Sequence, residues 1–190
     1  MPRDRASRVS RLADVVITYL ERPAIGVASG GDANDGSSPG ARGLPAGVVL
    51  RHERAPEAAE IAATMYRAVG APWHWRDRAG WTAEQWGEAV HRDDVELWSA
   101  RIDGAPVGYF ELHLQSDAVD LKYFGLIPEF TNRGIGGPLL TAAIARASAL
   151  GRDRVTVNTC TLDHPAALPN YLARGFRVVS TERQQRTLPE

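Results

Sequence analysis

Three glycines crowd into four positions of the segment FGLIPEFTNRGIGGPLL, residues 124–140, at Gly134, Gly136 and Gly137. An apolar strand pattern ends at Pro128, a polar turn follows, and the glycines open an amphipathic helix. Backbone N–H groups at a helix N-terminus lack partners within the helix and carry the positive end of its dipole. Glycines let a diphosphate come close to that backbone, so a strand–loop–helix of this kind is an anion site. A P-loop requires Lys-Ser/Thr after its last glycine, where Gly137-Pro138 stands. A dinucleotide fold requires G-x-G-x-x-G inside a βαβ unit, but these glycines are too closely spaced and follow an antiparallel hairpin pattern. Taken alone, the glycines also fit a turn that holds no ligand.

A second group of reactive side chains lies in the strand pattern Pro106–Gln115. Alternation puts Tyr109, Glu111 and His113 on one face and Phe110, Leu112 and Leu114 on the other. Glu111 could take a proton directly or through water, and His113 adds an imidazole, a side chain able to accept a proton, so the polar face suits recognition and deprotonation of an amine. The same alternation also describes a sheet face turned to solvent. Trp73, His74, Trp75 and Trp81 form an aromatic segment, with Trp86 close behind; indole faces bind cations and flat apolar groups. The five histidines share no metal-ligand spacing, and the single cysteine, Cys160, excludes an intrachain disulfide.

The loop Thr131-Asn132-Arg133-Gly134-Ile135-Gly136 resembles motif A of the GNAT N-acetyltransferases, written Gln/Arg-x-x-Gly-x-Gly/Ala. Both glycines match, while threonine takes the first position. Gly125–Phe130 is similar to that family's strand-to-loop passage. Ala166–Phe176 (AALPNYLARGF) resembles its motif B, with Tyr171 in the tyrosine position five residues before Phe176.

The resemblance spans about residues 106–180 and implies acetyl-CoA as co-substrate, with no metal. Thr131, Asn132, Arg133, Gly134, Ile135, Gly136 and Gly137 would hold its pyrophosphate, mainly through backbone amides because Thr131 replaces Gln/Arg. Strand Val119–Leu126 would splay from Arg154–Cys160, with main-chain groups of Phe124 and Leu126 along the pantetheine arm. The N–H of Leu126 would be the oxyanion donor. Tyr171 would be the general acid for the leaving thiolate; its alternative is a core tyrosine under the last strand. Asn158 borders the same gap and would bind cofactor or order water. Asp120 aligns with the acidic residue of some members and rivals Glu111 and His113 as base. Trp73 and Trp75, with Tyr109, would line the acceptor pocket, while Trp81 and Trp86 plug the core. The implied reaction is one-step acetyl transfer to a primary amine of a small molecule or peptide in a ternary complex. A non-catalytic acyl-CoA-binding or sensing domain is the alternative; Tyr171 and the face with Glu111 and His113 favour the enzyme.

These residues need elements to hold them. Asp14–Leu20 and Val48–Glu53 read as strands on either side of a Gly/Ser-rich flexible loop at about 29–47. Apolar spacing predicts a helix over Ala55–Val69 with Gly70 as a left-handed cap. Thr82 and Gln85 predict a capping box for a helix reaching about Arg92. Asp103-Gly104 joins strands Val95–Ile102 and Pro106–Gln115 in a tight hairpin. Then follow strand Val119–Leu126, helix Gly136–Leu150 ended by Gly151, strand Arg154–Cys160, a short helix within Pro165–Arg174 and strand Phe176–Arg186. The order gives an α/β (α+β) GNAT-like sandwich, a mixed, mostly antiparallel sheet flanked by helices, in one domain over residues 1–190.

With 44% hydrophobic and 24% charged residues among 190, the composition is that of a soluble globular chain. A net charge of −1 gives no support for nucleic-acid binding. The polar N-terminus and the lack of a membrane-length apolar run predict a cytoplasmic protein, monomer or homodimer.

Overall fold

The computed structural model describes residues 10–24 and 43–189. Residues 29–42 of the loop at 29–47 lie outside them, and 43–47 end in a turn where the Val48 N–H donates to Pro45 O at 3.0 Å. The strands are β1 (Ser10–Pro23), β2 (Val49–Glu53), β3 (Val95–Ile102), β4 (Ala105–Leu114), β5 (Ala118–Leu126), β6 (Arg154–Cys160) and β7 (Arg177–Pro189). The helices are α1 (Ala58–Gly70), α2 (Ala83–Val90), α3 (Gly136–Ala149) and α4 (Ala167–Leu172). One seven-stranded sheet runs β2-β3-β4-β5-β6-β1-β7, antiparallel except between β5 and β6.

Two cores follow from strand alternation. Leu50, Trp98, Phe110, Leu112, Val119 and Val157 face Leu139, Leu140, Ala143 and Ala147 of α3 and Tyr171 of α4. On the opposite face Leu97, Tyr109 and Tyr123 pack under Ala62, Met65, Tyr66 and Val69 of α1 and Trp86 and Val90 of α2. The face expected to be polar is therefore roofed by α1 and α2.

Local signals explain most boundaries. Asp103 and Gly104 have φ of 49° and 80°, the left-handed pair that a two-residue hairpin twist requires. Thr82 accepts from the Gln85 N–H at 3.3 Å, and the Thr82 N–H donates to Gln85 Oε1 at 2.8 Å, closing the capping box. That helix ends at Val90, short of Arg92. β1 outruns its expected span because it lies between β6 and β7, so polar positions from Ser10 to Glu21 also find ladder partners.

Gly70 corrects the expected cap. Its φ is −84°, the chain continues into a 3₁₀ turn over Ala71–Trp73, and the left-handed residue is His74 at φ 57°. The glycine is there for space: a Cβ would stand 2.5 Å from Cε3 of Trp75. Gly70→Ala is expected to cost about 1–3 kcal/mol by overpacking. Urea denaturation checks it, and an unchanged midpoint refutes this contact as the reason for glycine.

Candidate active site

Between β5 and β6 the sheet opens. They pair only through Ala118–Asp120 and Arg154–Thr156, where Thr156 Oγ1 also donates to Asp120 Oδ1 at 3.0 Å. Just beyond, the β4–β5 register pairs Glu111 with Tyr123 but Leu112 with Leu121, leaving Lys122 as a bulge. A bulge bends its strand and ends regular pairing, which separates β5 from β6 at that point. Further along, the Ile127 N–H donates to Val107 O at 3.0 Å, so Gly108 and Leu126 face each other as a non-hydrogen-bonded pair. The N–H and C=O of Leu126, and by the same alternation those of Phe124, point away from β4 into the opening.

The opening widens into a cleft of about 1020 Å³. Phe124, Gly125 and Leu126 form one wall, and Val157, Asn158 and Cys160 the other. At one end stand Thr131, Asn132, Gly134, Gly136 and Gly137. Gly134 (φ 75°) and Asn132 (φ 58°) turn the loop into α3, whose first residue, Gly136, follows Ile135 with no side-chain cap. The N–H groups of Gly136 and Gly137 thus lack an intrahelical partner, and Pro138 has none to offer. Thr131 spends its hydroxyl on Pro128 O at 2.8 Å, so the loop presents backbone. Arg133 lies over the Phe130 ring at 4.8 Å, and Ile135 is buried; neither side chain is on the cleft wall.

Tyr171 enters the cleft from α4. Its ring packs edge-on to Phe124 at 6.3 Å and Phe176 at 5.8 Å, and among the described residues nothing hydrogen-bonds its hydroxyl. Burial, reinforced by the charge of Asp163, pushes its pKa up, so the group holds its proton at neutral pH. Burial and Asp163 likewise push the Cys160 thiol up, away from the thiolate that a nucleophile needs.

At the other end Trp73, His74, Trp75, Arg76 and Asp77 face the loop of Asp163 and His164. Trp75 Nε1 donates to Asp163 Oδ1 at 3.3 Å, and Trp73 meets His164 edge-on at 5.1 Å. Trp86 is buried, and Trp81 lies against it and over Arg78, off the cleft wall.

Tyr109, Glu111, His113 and Asp120 are not on that wall. Tyr109 is buried, and its hydroxyl has no partner among the described residues. Glu111 is 0% exposed and holds Arg78 through Oε2 to Nη1 at 2.8 Å and Oε1 to Nη2 at 2.9 Å, with His113 Nε2 at 2.5 Å from Oε1. Burial pushes the Glu111 pKa up, but hydrogen bonds from His113 and Arg78 outweigh it and hold the carboxyl below its usual range. The expected open face of Tyr109, Glu111 and His113 is thus corrected to a buried ion pair under α1 and α2. Arg78, the partner that closes this pair, is itself buried, with Trp81 (4.6 Å) and Tyr123 (4.5 Å) stacked on its guanidinium.

Among the described residues no helix is long and apolar enough to cross a membrane, and no cluster of His, Cys, Asp and Glu could hold a metal. The sequence model of the acetyltransferase (GNAT) family matches residues 56–176, more than half of the chain and all of the cleft's central walls. The chain belongs to the GNAT family. It is 30% identical over 149 residues to the mycothiol acetyltransferase of Clavibacter sepedonicus, covering 77% of this chain and 48% of that one. The mycothiol acetyltransferase of Clavibacter michiganensis subsp. michiganensis is 28% identical over 148 residues, with 77% and 48% covered. The chain therefore spans about half the length of the curated relatives it matches. Among solved structures, the GCN5-related N-acetyltransferase from Sphaerobacter thermophilus aligns with a TM-score of 0.63 at 17% identity, over 93% of this chain and 52% of that one. A GNAT family acetyltransferase from Elizabethkingia anophelis with acetyl-CoA bound aligns at 0.54 and 18% identity, over 72% and 80%. Both likenesses show the GNAT fold.

Proposed function

We propose that this GNAT chain, residues 1–190 acting as one cytoplasmic domain, monomer or homodimer, transfers an acetyl group from acetyl-CoA directly to a primary amine of a small molecule or peptide. The observation that carries the reading is the opening between β5 and β6. It offers the outward main chain of Phe124 and Leu126, the uncapped start of α3 and the Tyr171 hydroxyl along one cleft. A diphosphate fits the N–H groups at Gly136 and Gly137, as anions do at helix starts. A pantetheine arm, with its amides, fits the unpaired groups of Phe124 as another strand would. The Leu126 N–H then meets the oxygen on which charge develops when the amine attacks. Tyr171 protonates the departing sulfur, since its hydroxyl belongs to the cleft wall, keeps its proton and has no hydrogen-bond partner among the described residues. Asn158 orders the arm or a water opposite, and Trp73 and Trp75 receive the acceptor.

Thiol release from acetyl-CoA with a panel of amino acid amides, amino sugars and alkyl diamines tests this. Turnover with intersecting initial-rate plots is the expected result for a ternary complex. Tight CoA binding without turnover of any amine leaves a sensing domain instead.

A further inference from the structure

On the reading of the cleft as an N-acetyltransferase site, Tyr109, Glu111, His113 and Asp120 lie off the wall, and a side chain that meets the attacking nitrogen belongs to the wall itself. Among the described residues His74 Nδ1 is buried without a partner, and His164 uses Nδ1 to accept the Ala166 N–H at 3.0 Å while its ring packs on Trp73. Asp77 is engaged through both oxygens, Oδ1 by Tyr66 at 2.8 Å and Oδ2 by Tyr123. Asp163 differs. Its Oδ2 accepts from Thr159 Oγ1 and from the Cys160 N–H, each at 2.8 Å, which fixes the carboxylate against the end of β6. Among the described residues its Oδ1 has only the longer 3.3 Å bond from Trp75, and Asp163 is part of the cleft wall.

We propose that Asp163 is a catalytic residue of this chain: Oδ1 contacts the acceptor amine, stabilises the positive charge that develops on its nitrogen, and takes the proton. The step balances. The nitrogen lone pair forms the C–N bond to the acyl carbon, the C–S bond breaks, the N–H proton passes to Asp163 and the Tyr171 proton passes to sulfur. The products are the amide and the free thiol, and the proton on Asp163 returns to Tyr171 through solvent. The placement fits the charges. The Leu126 N–H faces the developing oxyanion from one wall while the carboxylate faces the developing ammonium from the other, and Tyr171 lies near enough to Asp163 to feel its charge.

The test uses two nucleophiles with the full chain: the best alkylamine of the panel, and methoxyamine, which is neutral at assay pH and sheds its proton to water once it has attacked. Asp163→Asn keeps an oxygen for Thr159 and Cys160. It is expected to lower kcat/KM for the alkylamine by roughly 10²–10⁴-fold, to lower methoxyamine turnover far less, and to leave the calorimetric Kd for CoA unchanged. Asp163→Ala should regain alkylamine turnover when formate is added, a rescue that a merely structural role does not give. Equal losses for both nucleophiles, no loss for either, or selective loss in His164→Asn in place of Asp163→Asn overturns the assignment. A wild-type chain that binds CoA yet turns over neither nucleophile overturns the transferase reading itself, an outcome separate from the behaviour of the variants.

Discussion

Glu111→Ala is expected to destabilise the fold by roughly 3–5 kcal/mol, the range for removing one partner of a buried ion pair. The loss comes less from the missing bridge than from what stays behind. Arg78 would remain under α1 and α2, enclosed by Trp81 and Tyr123, with its charge unanswered. The pair also ties down the segment that feeds the cleft, since the Arg78 N–H donates to the Tyr66 hydroxyl at 3.0 Å and that hydroxyl donates to Asp77. Urea denaturation gives the number, and a change below about 1 kcal/mol contradicts the account. The pH dependence has a definite sign. The folded-state pKa of Glu111 is depressed, so its contribution is fully present above the unfolded carboxylate value and is lost as pH falls through the folded one. The wild type should therefore lose stability toward acid more steeply than Glu111→Gln, which cannot titrate there. Parallel acid limbs in the two proteins would remove Glu111 from the explanation.

How far the sequence revealed this molecule depended on whether a signal was local. Asp103-Gly104, the Thr82 capping box and Gly151 (φ 70°) encode turns and caps in neighbouring residues, and the structure has each of them. The glycine loop was legible for the same reason, because a strand end, a turn and a helix start lie within a dozen residues. What depended on partners distant in the chain was not. Strand alternation correctly separated Tyr109 and Glu111 from Phe110 and Leu112, but it cannot say which face is covered. That α1 and α2 roof the polar side required Arg78, thirty-three positions away from Glu111, to be recognised as its counter-charge. The bulge at Lys122 has no composition signal, and it is what opens β5 from β6. Asp163 was hidden by being an ordinary loop aspartate; its meaning comes from Trp75, eighty-eight residues earlier. Gly70 shows the limit from the other side, since a helix-ending glycine suggests a left-handed cap whereas its purpose here is room for an indole.

Tyr171→Phe separates chemistry from packing at the position where the two readings of that tyrosine diverge. The variant keeps the ring between Phe124 and Phe176, and the lost hydroxyl has no protein partner among the described residues to be left unsatisfied. Stability should therefore move by less than about 0.5 kcal/mol, as for a change that leaves packing and hydrogen bonds intact. CoA affinity should also hold, because the substitution leaves the main-chain donors at the start of α3 untouched. Catalysis should not hold. Without the phenol the sulfur must leave unprotonated or take its proton from water, and kcat is expected to fall by roughly 10²–10⁴-fold, the range for a positioned general acid. A thiol ester whose thiol is more acidic needs that proton less, so a substrate analogue with an activated leaving thiol should recover part of the loss. If kcat is unchanged while the melting midpoint falls, Tyr171 is a core tyrosine and the proton must come from elsewhere. If kcat falls and the activated thiol ester restores it, the hydroxyl is the donor, and a single atom on α4 accounts for the effect.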